Sequence, residues 1–270
     1  MEKFSVLISV YKREQGESFK GALHSIFQQT IPPSEVVLVK DGPLTDELEN
    51  VIADFVKQYD TLKVVALSEN KGLGNALNMG LNACTNDLVA RMDSDDLSLS
   101  IRFETQLRVF ERDPEVSVVG GWITEFEDNP DQIIAYRKVP ESDSELKNFF
   151  KSRNPLNHVT VMFRKKDVLE AGGYQHFHLF EDYWLWARMI KNGVKFYNVQ
   201  NVLVNVRGGV AMAARRGGWK YVKSAVKFQW RIWKMGLISV GQLLKNIFIR
   251  FCVYMMPNEL RSWIYKNILR

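Results

Sequence analysis

The first hundred residues alternate short apolar runs with amphipathic segments, and this alternation limits the folds open to the chain. Four apolar runs predict buried β-strands at residues 4–10, 35–40, 62–67 and 87–91. The segments between them have apolar residues three and four apart, which predicts amphipathic helices at 18–29, 45–59 and 75–83. Repeated strand–helix units form parallel sheets covered by helices, so we predict an α/β fold with a doubly wound, nucleotide-binding first half.

The second part of the chain alternates less regularly. We predict helices at 100–111, 142–151 and 182–191, and extended segments at 116–120, 133–139 and 159–164. Gly193 follows the last of these helices and is well placed to end it. With 270 residues, 46% of them hydrophobic, the chain has enough apolar surface to bury a full core.

Charge is distributed unevenly along the chain. Residues 1–206 carry 23 Lys and Arg against 30 Asp and Glu, whereas residues 207–270 carry 13 Lys and Arg and one acid. The basic end is also rich in tryptophan and aliphatic residues, but Lys245 and Arg250 interrupt its most apolar part. This composition is typical of amphipathic helices in the interface of an anionic membrane and disfavours a spanning helix. A helical subdomain that packs on the α/β body, or on a partner copy in a homodimer, explains the same residues.

Cysteine usage and the N-terminus indicate a compartment. Cys84 and Cys252 are far apart in sequence and do not suggest a disulfide framework. The first residues lead directly into a predicted strand, without the apolar core and cleavage site of a signal peptide. We therefore expect a cytoplasmic protein that binds peripherally to the inner face of the cell membrane.

An acidic cluster formed by Asp93, Ser94, Asp95 and Asp96 follows the fourth predicted strand. Ligands of open parallel sheets bind beyond the carboxyl ends of strands. Three carboxylates in four residues repel one another unless a cation neutralises them, and Mg²⁺ or Mn²⁺ would use oxygen ligands and leave positions for substrate phosphates. The cluster therefore indicates a metal–diphosphate site. The alternative is a solvated turn in which Asp96 or Ser98 caps the next helix.

Three other residues stand at the ends of elements in the first half. Asp41 ends the second strand, where its side chain can accept a hydrogen bond from a base or sugar, and Tyr11 ends the first, where its ring can stack on a nucleobase. Lys71 begins a glycine-containing turn before a helix whose amino end can face phosphate. Taken singly, each of them also fits an ordinary strand-to-helix turn.

Further candidates lie in the second half. Glu181 and Asp182 open a predicted helix, where carboxylates complement the helix dipole, and one of them can act as a general base for a sugar hydroxyl. His158 is a candidate contact for the diphosphate, the acceptor or the metal, or a hydrogen-bonded structural histidine. Arg207, which precedes two glycines, and Arg215 and Arg216, which precede two more, suit a mobile loop that closes on phosphate, or a basic link to the C-terminal region.

The ordered set of these motifs resembles the inverting glycosyltransferases of family 2, which have the GT-A fold. The resemblance covers roughly residues 3–207 and rests on the succession Val6–Tyr11, Asp41-Gly42, Lys71–Asn78, Asp93–Asp96 and Glu181-Asp182. It implies that Asp41 contacts the nucleobase, that the D-x-D pair Asp93 and Asp95 binds the ribose and the metal–diphosphate, and that Asp182 is the catalytic base.

The same resemblance implies a domain organisation. A GT-A catalytic domain with a mostly parallel sheet flanked by helices would cover 1–206, with a nucleotide-binding half at 1–98 and an acceptor-binding half at 99–206. A flexible basic loop and amphipathic membrane-interface helices would cover 207–270.

The sequence of residues 39–44 and 157–164 resembles that of bacterial enzymes that build O-antigen, capsule or exopolysaccharide repeat units. This implies a UDP-sugar donor, with galactose or glucose favoured, an acceptor sugar on undecaprenyl diphosphate, and no nucleic acid partner. The chain lacks the Q-x-x-R-W signature of processive synthases, so one addition per encounter is expected. The alternatives are a nucleotidyltransferase on a sugar phosphate, which would also use paired aspartates and a metal, and a basic nucleic-acid-binding protein.

Overall fold

The sheet and its helices are formed by the residues that the computed structural model describes, which are 2–208, 217–257 and 260. The strands are β1 Phe4–Val10, β2 Glu35–Lys40, β3 Leu62–Ala66, β4 Leu88–Met92, β5 Leu97–Ser98, β6 Val116–Phe126, β7 Ala135–Arg137, β8 Met162–Arg164 and β9 Lys195–Arg207. The helices are α1 Gly16–Phe27, α2 Asp46–Gln58, α3 Leu73–Ala83, α4 Arg102–Arg112, α5 Asp143–Phe150, α6 Lys165–Glu170, α7 Glu181–Lys191, α8 Trp219–Lys234 and α9 Val240–Met255.

The strands of the described chain pair in the order β3-β2-β1-β4-β8-β6-β9-β5, with β7 beside β6. The first four are mutually parallel, which confirms the α/β prediction for this half. Beyond β4 the sheet is mixed, because β8 runs antiparallel to both β4 and β6. Val10 pairs with Lys40, and Ile8 pairs with Met92, so the carboxyl ends of β1, β2 and β4 meet at one edge of the sheet. The residues that follow these strands therefore lie close together.

Burial on both faces explains why the first strands are almost continuously apolar. Along β1, Val6 and Ile8 join the apolar cluster on one face of the sheet, while Leu7 joins the cluster on the other. Val36 and Leu38 alternate with Val37 and Val39 in the same way along β2. Strands covered by helices on both faces need apolar side chains at every position, and this is the pattern that the sequence carries.

A third apolar cluster attaches the C-terminal helices to the α/β body. Aromatic residues from the chain around the start of α7 pack against α8 and α9, and the main participants are Phe177, Phe180, Tyr183, Trp184, Phe228, Ile232, Leu243 and Tyr254. The predicted helical character of this region is confirmed for α8 and α9. None of the helices in the described part of the chain is long and apolar enough to cross a bilayer.

The sequence analysis missed β9, a strand of 13 residues that pairs with β6 over most of its length. Its apolar pattern is interrupted by Asn198, Gln200 and Asn201, where the pairing register shifts between Val199 and Val202. The irregularity makes the segment look like a loop in sequence. The short helix α6 was missed as well, because six residues are too few to show a period.

Glu35 joins three strands and gives a testable pH dependence of stability. Its buried carboxylate accepts hydrogen bonds from Ser5 Oγ on β1 at 2.5 Å, Lys63 Nζ on β3 at 2.5 Å and the Thr85 backbone N–H at 2.8 Å. Burial raises the pKa of Glu35, but the hydrogen bonds from Lys63, Ser5 and Thr85 outweigh it and hold the pKa below its ordinary value. We expect Glu35→Gln to lower the free energy of unfolding at pH 7 by about 1–3 kcal/mol.

The sign of the pH effect follows from the lowered pKa. The charged carboxylate contributes its stability above the pKa of the unfolded chain, and this contribution is lost as the pH falls through the lower pKa of the folded state. Urea unfolding of both proteins between pH 3 and 7 should show a difference that is constant above about pH 5 and shrinks below it. A difference that grows on acidification would contradict this account of Glu35.

Candidate functional site

A cleft of about 590 Å³ opens at the sheet edge where β1, β2 and β4 end. It is lined by the segments that directly follow these strands, together with the turn before α3 and the end of β9. The lining residues that carry polar side chains are Ser9, Tyr11, Arg13, Glu14, Gln15, Ser18, Asp41, Asn70, Asp93, Ser94, Asp95 and Arg207. The sheet topology thus brings three of the predicted aspartates, and Tyr11, into one concave site.

Asp41 is buried at the floor of the cleft and organises its wall. Its carboxylate accepts hydrogen bonds from the backbone N–H groups of Lys71, at 2.7 Å, and Gly72, at 3.1 Å. Gly42 has φ +87°, and a Cβ there would lie 2.6 Å from the Asn70 backbone nitrogen, so only glycine fits this close approach. The Lys71 turn is therefore fixed to Asp41, and its first two N–H groups are not directed at a phosphate. The Lys71 side chain is half exposed near Glu69.

Asp93 lies directly after β4 and forms a bidentate ion pair with Arg91. Arg91 is buried near the end of β4. Its neighbours in the strand, Ala90 and Met92, both belong to the apolar cluster that contains Val6 and Ile8. Burial alone would lower the pKa of Arg91, but the Asp93 carboxylate outweighs burial and raises the pKa above its ordinary value. The guanidinium therefore stays charged. The charged Arg91 guanidinium thus lies next to the acidic cluster and holds Asp93 in a defined orientation.

Asp95 has the electrostatic environment that a cation would relieve. Burial, followed by repulsion from Asp93 and Glu14, raises the pKa of Asp95 to about 7. Glu14 is held in place by the Ser94 hydroxyl, which donates to its Oε2 at 2.6 Å. In the described part of the chain, no side chain donates a hydrogen bond to the Asp95 carboxylate. Asp95 is therefore the carboxylate of the cluster that is open to a ligand.

Asp96 differs from its neighbours because it does not face the cleft. It is buried, and its Oδ1 accepts a hydrogen bond from the Arg207 backbone N–H at 2.8 Å. Burial, together with repulsion from Asp93 and Asp95, raises its pKa well above the ordinary value. Helix α4 has Ile101 as its N-cap without a side-chain hydrogen bond, so neither Asp96 nor Ser98 caps it. The cap interpretation of the cluster is therefore wrong, and Asp96 instead ties the end of β9 to the acidic cluster.

The oxygen ligands of the cleft fit a hard divalent cation that is shared with a substrate. No group of three or more His, Cys, Asp or Glu side chains in the described residues is arranged to enclose a metal ion. Mg²⁺ commonly uses one or two carboxylates and takes its other ligands from phosphate and water. Asp95, with its raised pKa and free oxygens, matches this requirement, and Asp93 lies beside it.

Two charged residues of the cleft, Arg13 and Glu14, were not predicted, and Arg207 was predicted only as part of a mobile loop. Arg13 and Glu14 belong to the loop after β1, and Arg207 ends β9, where its Nε lies 3.4 Å from the Asp95 backbone oxygen that accepts from it. In sequence, Arg13 and Glu14 look like solvated surface residues, since no local pattern indicates that they lie in one cleft with Asp95. Glu14 reaches the cleft because its loop follows β1, which ends at the cleft. Arg207 reaches the cleft because β9 pairs with β6 up to this residue.

Glu181 and Asp182 lie in the first turn of α7, where the structure confirms the predicted helix start. Asn154 Nδ2 donates a hydrogen bond of 2.6 Å to Asp182 Oδ2, which fixes the orientation of that carboxylate. Burial, followed by repulsion from Asp182, raises the pKa of Glu181, and Glu181 also lies within electrostatic range of Arg91 and Asp93. Glu181 is thus within electrostatic range of the acidic cluster, although neither Glu181 nor Asp182 lines the cleft described above.

His158 is partly buried against Tyr174 and Trp186. Its Nε2 is 2.9 Å from the hydroxyl of buried Tyr174, and its ring makes an edge contact with Trp186. Burial, helped by the charge of Arg91, lowers the pKa of His158 well below its ordinary value, so the imidazole is neutral at pH 7. This environment matches the structural histidine that the sequence analysis gave as an alternative. Arg215 and Arg216 lie outside the described residues.

The family described as Glycosyl transferase family 2 matches residues 5–173. The Escherichia coli UDP-Gal:alpha-D-GlcNAc-diphosphoundecaprenol beta-1,3-galactosyltransferase is 40% identical over 268 residues, which cover 99% of this chain and 97% of that enzyme.

Solved structures share the fold. The Staphylococcus aureus protein TarS 1-349, in complex with UDP-GlcNAc, superposes with a TM-score of 0.69 over 98% of this chain and 79% of that one, at 18% identity. The mannosyltransferase PcManGT from Pyrobaculum calidifontis, in complex with GDP-Man and Mn²⁺, gives a TM-score of 0.65 at 16% identity, covering 97% of this chain and 72% of that one. At these identities the similarity shows the GT-A fold alone.

Proposed function

The chain belongs to glycosyl transferase family 2 and is a glycosyltransferase, and we propose that it transfers a hexose from a UDP-sugar to a sugar carried on a lipid diphosphate. The observation that carries the proposal is the cleft itself, in which Tyr11, Asp41, Asp93 and Asp95 meet at the carboxyl edge of the parallel strands. The Escherichia coli relative, whose name states UDP-Gal as donor and a diphosphoundecaprenol sugar as acceptor, matches over nearly the whole of both chains. Galactose is therefore the favoured hexose, with glucose next.

In the proposed donor complex, the nucleotide lies across the ends of β1 and β2. Tyr11 is exposed at the mouth of the cleft, where its ring is available to stack on a base. Asp41 accepts from the base with the lone pairs that Lys71 and Gly72 leave free. Asp93, oriented by Arg91, accepts a hydrogen bond from the ribose. These roles follow the family resemblance, and the positions of the side chains in the cleft support them.

The diphosphate would lie over Asp95. We propose Asp95 as the protein ligand of Mn²⁺ or Mg²⁺, with Asp93 occupied chiefly by Arg91. The bound ion would neutralise the charge that develops on the departing diphosphate, as a Lewis acid does. Arg13 and Arg207, which line the same cleft, add positive charge on the phosphate side.

The acceptor hydroxyl would be activated by Asp182. Its Oδ2 is held by Asn154, and this fixes the other oxygen for the incoming hydroxyl. As Asp182 removes the proton, the hydroxyl oxygen bonds to the anomeric carbon, and the bond from that carbon to the diphosphate oxygen breaks. UDP leaves with both electrons of that bond, and the new glycosidic bond has inverted configuration. Glu181, beside it, would position the acceptor or the base.

We further propose that the enzyme works at the inner face of the cytoplasmic membrane, because its acceptor is lipid-linked. No nucleic acid takes part, and the basic C-terminal region serves the membrane. A nucleotidyltransferase remains the nearest alternative enzyme. It would release inorganic diphosphate, whereas sugar transfer releases the nucleoside diphosphate.

A donor screen tests the proposed function. Purified full-length protein with Mn²⁺ and a synthetic lipid-diphosphate GlcNAc would be mixed separately with UDP-, GDP- and dTDP-sugars, and nucleoside diphosphate release would be measured. We expect release of UDP with UDP-galactose or UDP-glucose, dependent on the acceptor. Turnover with GDP- or dTDP-sugars alone, or release of inorganic diphosphate, would contradict the proposal.

A further inference from the structure

One side of helix α9 exposes a continuous row of large apolar residues. Leu244, Phe248, Phe251 and Met255 are spaced four, three and four residues apart and so share one helix face. All four are exposed, with Leu244 at 64% and Phe248 at 69%. The opposite face carries Leu243, Asn246 and Tyr254, which are buried against α8 and the body. The row is therefore not needed for packing of the helix pair.

Helix α8 extends this row at one end. The ring of Trp219, itself 59% exposed, contacts the ring of Phe251 with centroids 6.1 Å apart. Lys220 and Lys223 are exposed in the turns that follow Trp219, and Lys245 is exposed beside Leu244. We call the surface made by Trp219, Leu244, Phe248, Phe251 and Met255 the outer face of the helix pair.

Charge complementarity identifies what covers the outer face. Between residues 217 and 257 there are seven Lys and Arg and no Asp or Glu. A protein partner of general composition would not need so one-sided a charge, and a symmetric contact between the helix pairs of two copies would place cation against cation. Exposed apolar residues of large size, bordered by lysines and tryptophan, are the composition that binds to the headgroup region of anionic lipid bilayers.

We propose that the outer face docks into an anionic membrane surface, with the apolar row below the headgroups and Lys220, Lys223 and Lys245 among the phosphates. This proposal specifies the membrane contact of the proposed function. It rests on that function only in the assumption that the acceptor is lipid-linked.

The inner face of the same helix pair reaches the residues around Asp182. Asn246 Nδ2 donates to the Lys151 backbone oxygen at 2.7 Å, and Arg250 Nη2 donates to that of Ser152 at 2.9 Å, two residues before Asn154. On α8, the Arg231 guanidinium lies over the ring of Trp184 at 5.2 Å. Docking of the outer face would therefore hold the proposed base at a fixed distance from the bilayer that carries the acceptor.

Vesicle flotation of the full-length protein tests the surface directly. The probe is a vesicle of phosphatidylglycerol and phosphatidylcholine, compared with one of phosphatidylcholine alone. We expect the double variant Leu244→Glu with Phe248→Glu to lower the bound fraction about tenfold or more, because two large apolar side chains no longer enter the bilayer. The matched control is Val56→Glu, an exposed apolar residue on α2, which should bind as the unchanged protein does.

A second variant separates charge from apolar contact. Lys220→Gln with Lys223→Gln should weaken binding to the anionic vesicles by about fivefold per lysine and leave binding to phosphatidylcholine unchanged. These lysines are exposed, so the variant folds even if an acidic substitution in the apolar row does not. A truncation near residue 218 would be a poorer test, since it would also uncover Phe177 and Phe180.

Three outcomes decide the proposal. Loss of flotation in both variants with an unaffected Val56→Glu control supports it. Undiminished binding of the Leu244→Glu, Phe248→Glu protein overturns it. Self-association of the unchanged protein without lipid, abolished by the same variant, would also overturn it and show that a second copy covers the outer face. Flotation requires no sugar transfer, so a failure of the proposed function would leave this result standing.

Discussion

Asp182→Asn is expected to lower the turnover number for sugar transfer by about 10²–10⁴-fold, the contribution of a general base, while UDP binds as tightly as before. The substitution keeps the size and the hydrogen bond to Asn154 but removes the group that accepts the hydroxyl proton. Asp182 lies outside the cleft lined by Tyr11, Asp41 and Asp95, so donor binding does not depend on it. Initial rates with saturating donor, and UDP binding by calorimetry, measure the two quantities separately.

Glu181→Gln is the matched control for this prediction. It removes a carboxylate from the same helix turn, and burial already raises the pKa of Glu181. We expect a smaller loss of turnover than in Asp182→Asn. If Asp182→Asn turns over normally, or if Glu181→Gln shows the larger loss, the assignment of the base to Asp182 is wrong.

Asp95→Ala is expected to abolish Mn²⁺-dependent binding of UDP and to lower transfer by about a thousandfold or more, since a metal ion at the diphosphate contributes several kcal/mol to the transition state. Burial, followed by repulsion from Asp93 and Glu14, raises the pKa of Asp95 to about 7, and a bound cation would relieve that repulsion. Titration of UDP with and without Mn²⁺ measures the effect. EDTA treatment of the unchanged protein should give the same loss and should be reversed by added Mn²⁺.

The control for this variant is Glu69→Ala. Glu69 is an exposed carboxylate near Lys71, outside the cleft lining. It changes the net charge by the same amount and should leave metal-dependent binding intact. Equal Mn²⁺ dependence of UDP binding in Asp95→Ala and the unchanged protein would show that the ion, if any, binds elsewhere.

The first half of the fold could be predicted because its physical signals are local. The predicted strand at 35–40 coincides with β2, and the helix at 45–59 nearly coincides with α2, where Thr45 accepts a hydrogen bond from the Leu48 N–H and the first turn is acidic. The edge at which Asp41 and Asp93 meet follows from parallel pairing alone. The family match over residues 5–173 spans these same motifs.

The parts that could not be predicted depend on contacts distant in sequence. Arg207 was assigned to a flexible loop because glycines follow it, yet it ends β9, and its N–H binds Asp96, which is 111 residues away. The turn at Lys71 was predicted either to direct its N–H groups at a phosphate or to be an ordinary turn, and the buried Asp41 carboxylate accepts the hydrogen bond of the Lys71 N–H. Neither outcome has a local sequence signal, since in both cases the decisive partner comes from another strand.

The acidic cluster also illustrates how far sequence alone reaches. Three carboxylates in four residues indicated a cation, but not which of them is free to bind it. The buried Arg91, an arginine inside an apolar strand, makes the difference between the carboxylates, because it forms an ion pair with Asp93. Asp96 is bound to the end of β9, and Asp95 lines the cleft without a side-chain hydrogen-bond donor among the described residues.

The most direct test of the account is the structure of the product formed from UDP-α-galactose and a lipid-diphosphate GlcNAc acceptor. The account predicts one equivalent of UDP for each disaccharide and, by NMR of the anomeric proton, a β-linked galactose. An α-linked product would contradict inversion with Asp182 as base. Release of inorganic diphosphate with a nucleotide joined to the acceptor would contradict sugar transfer altogether.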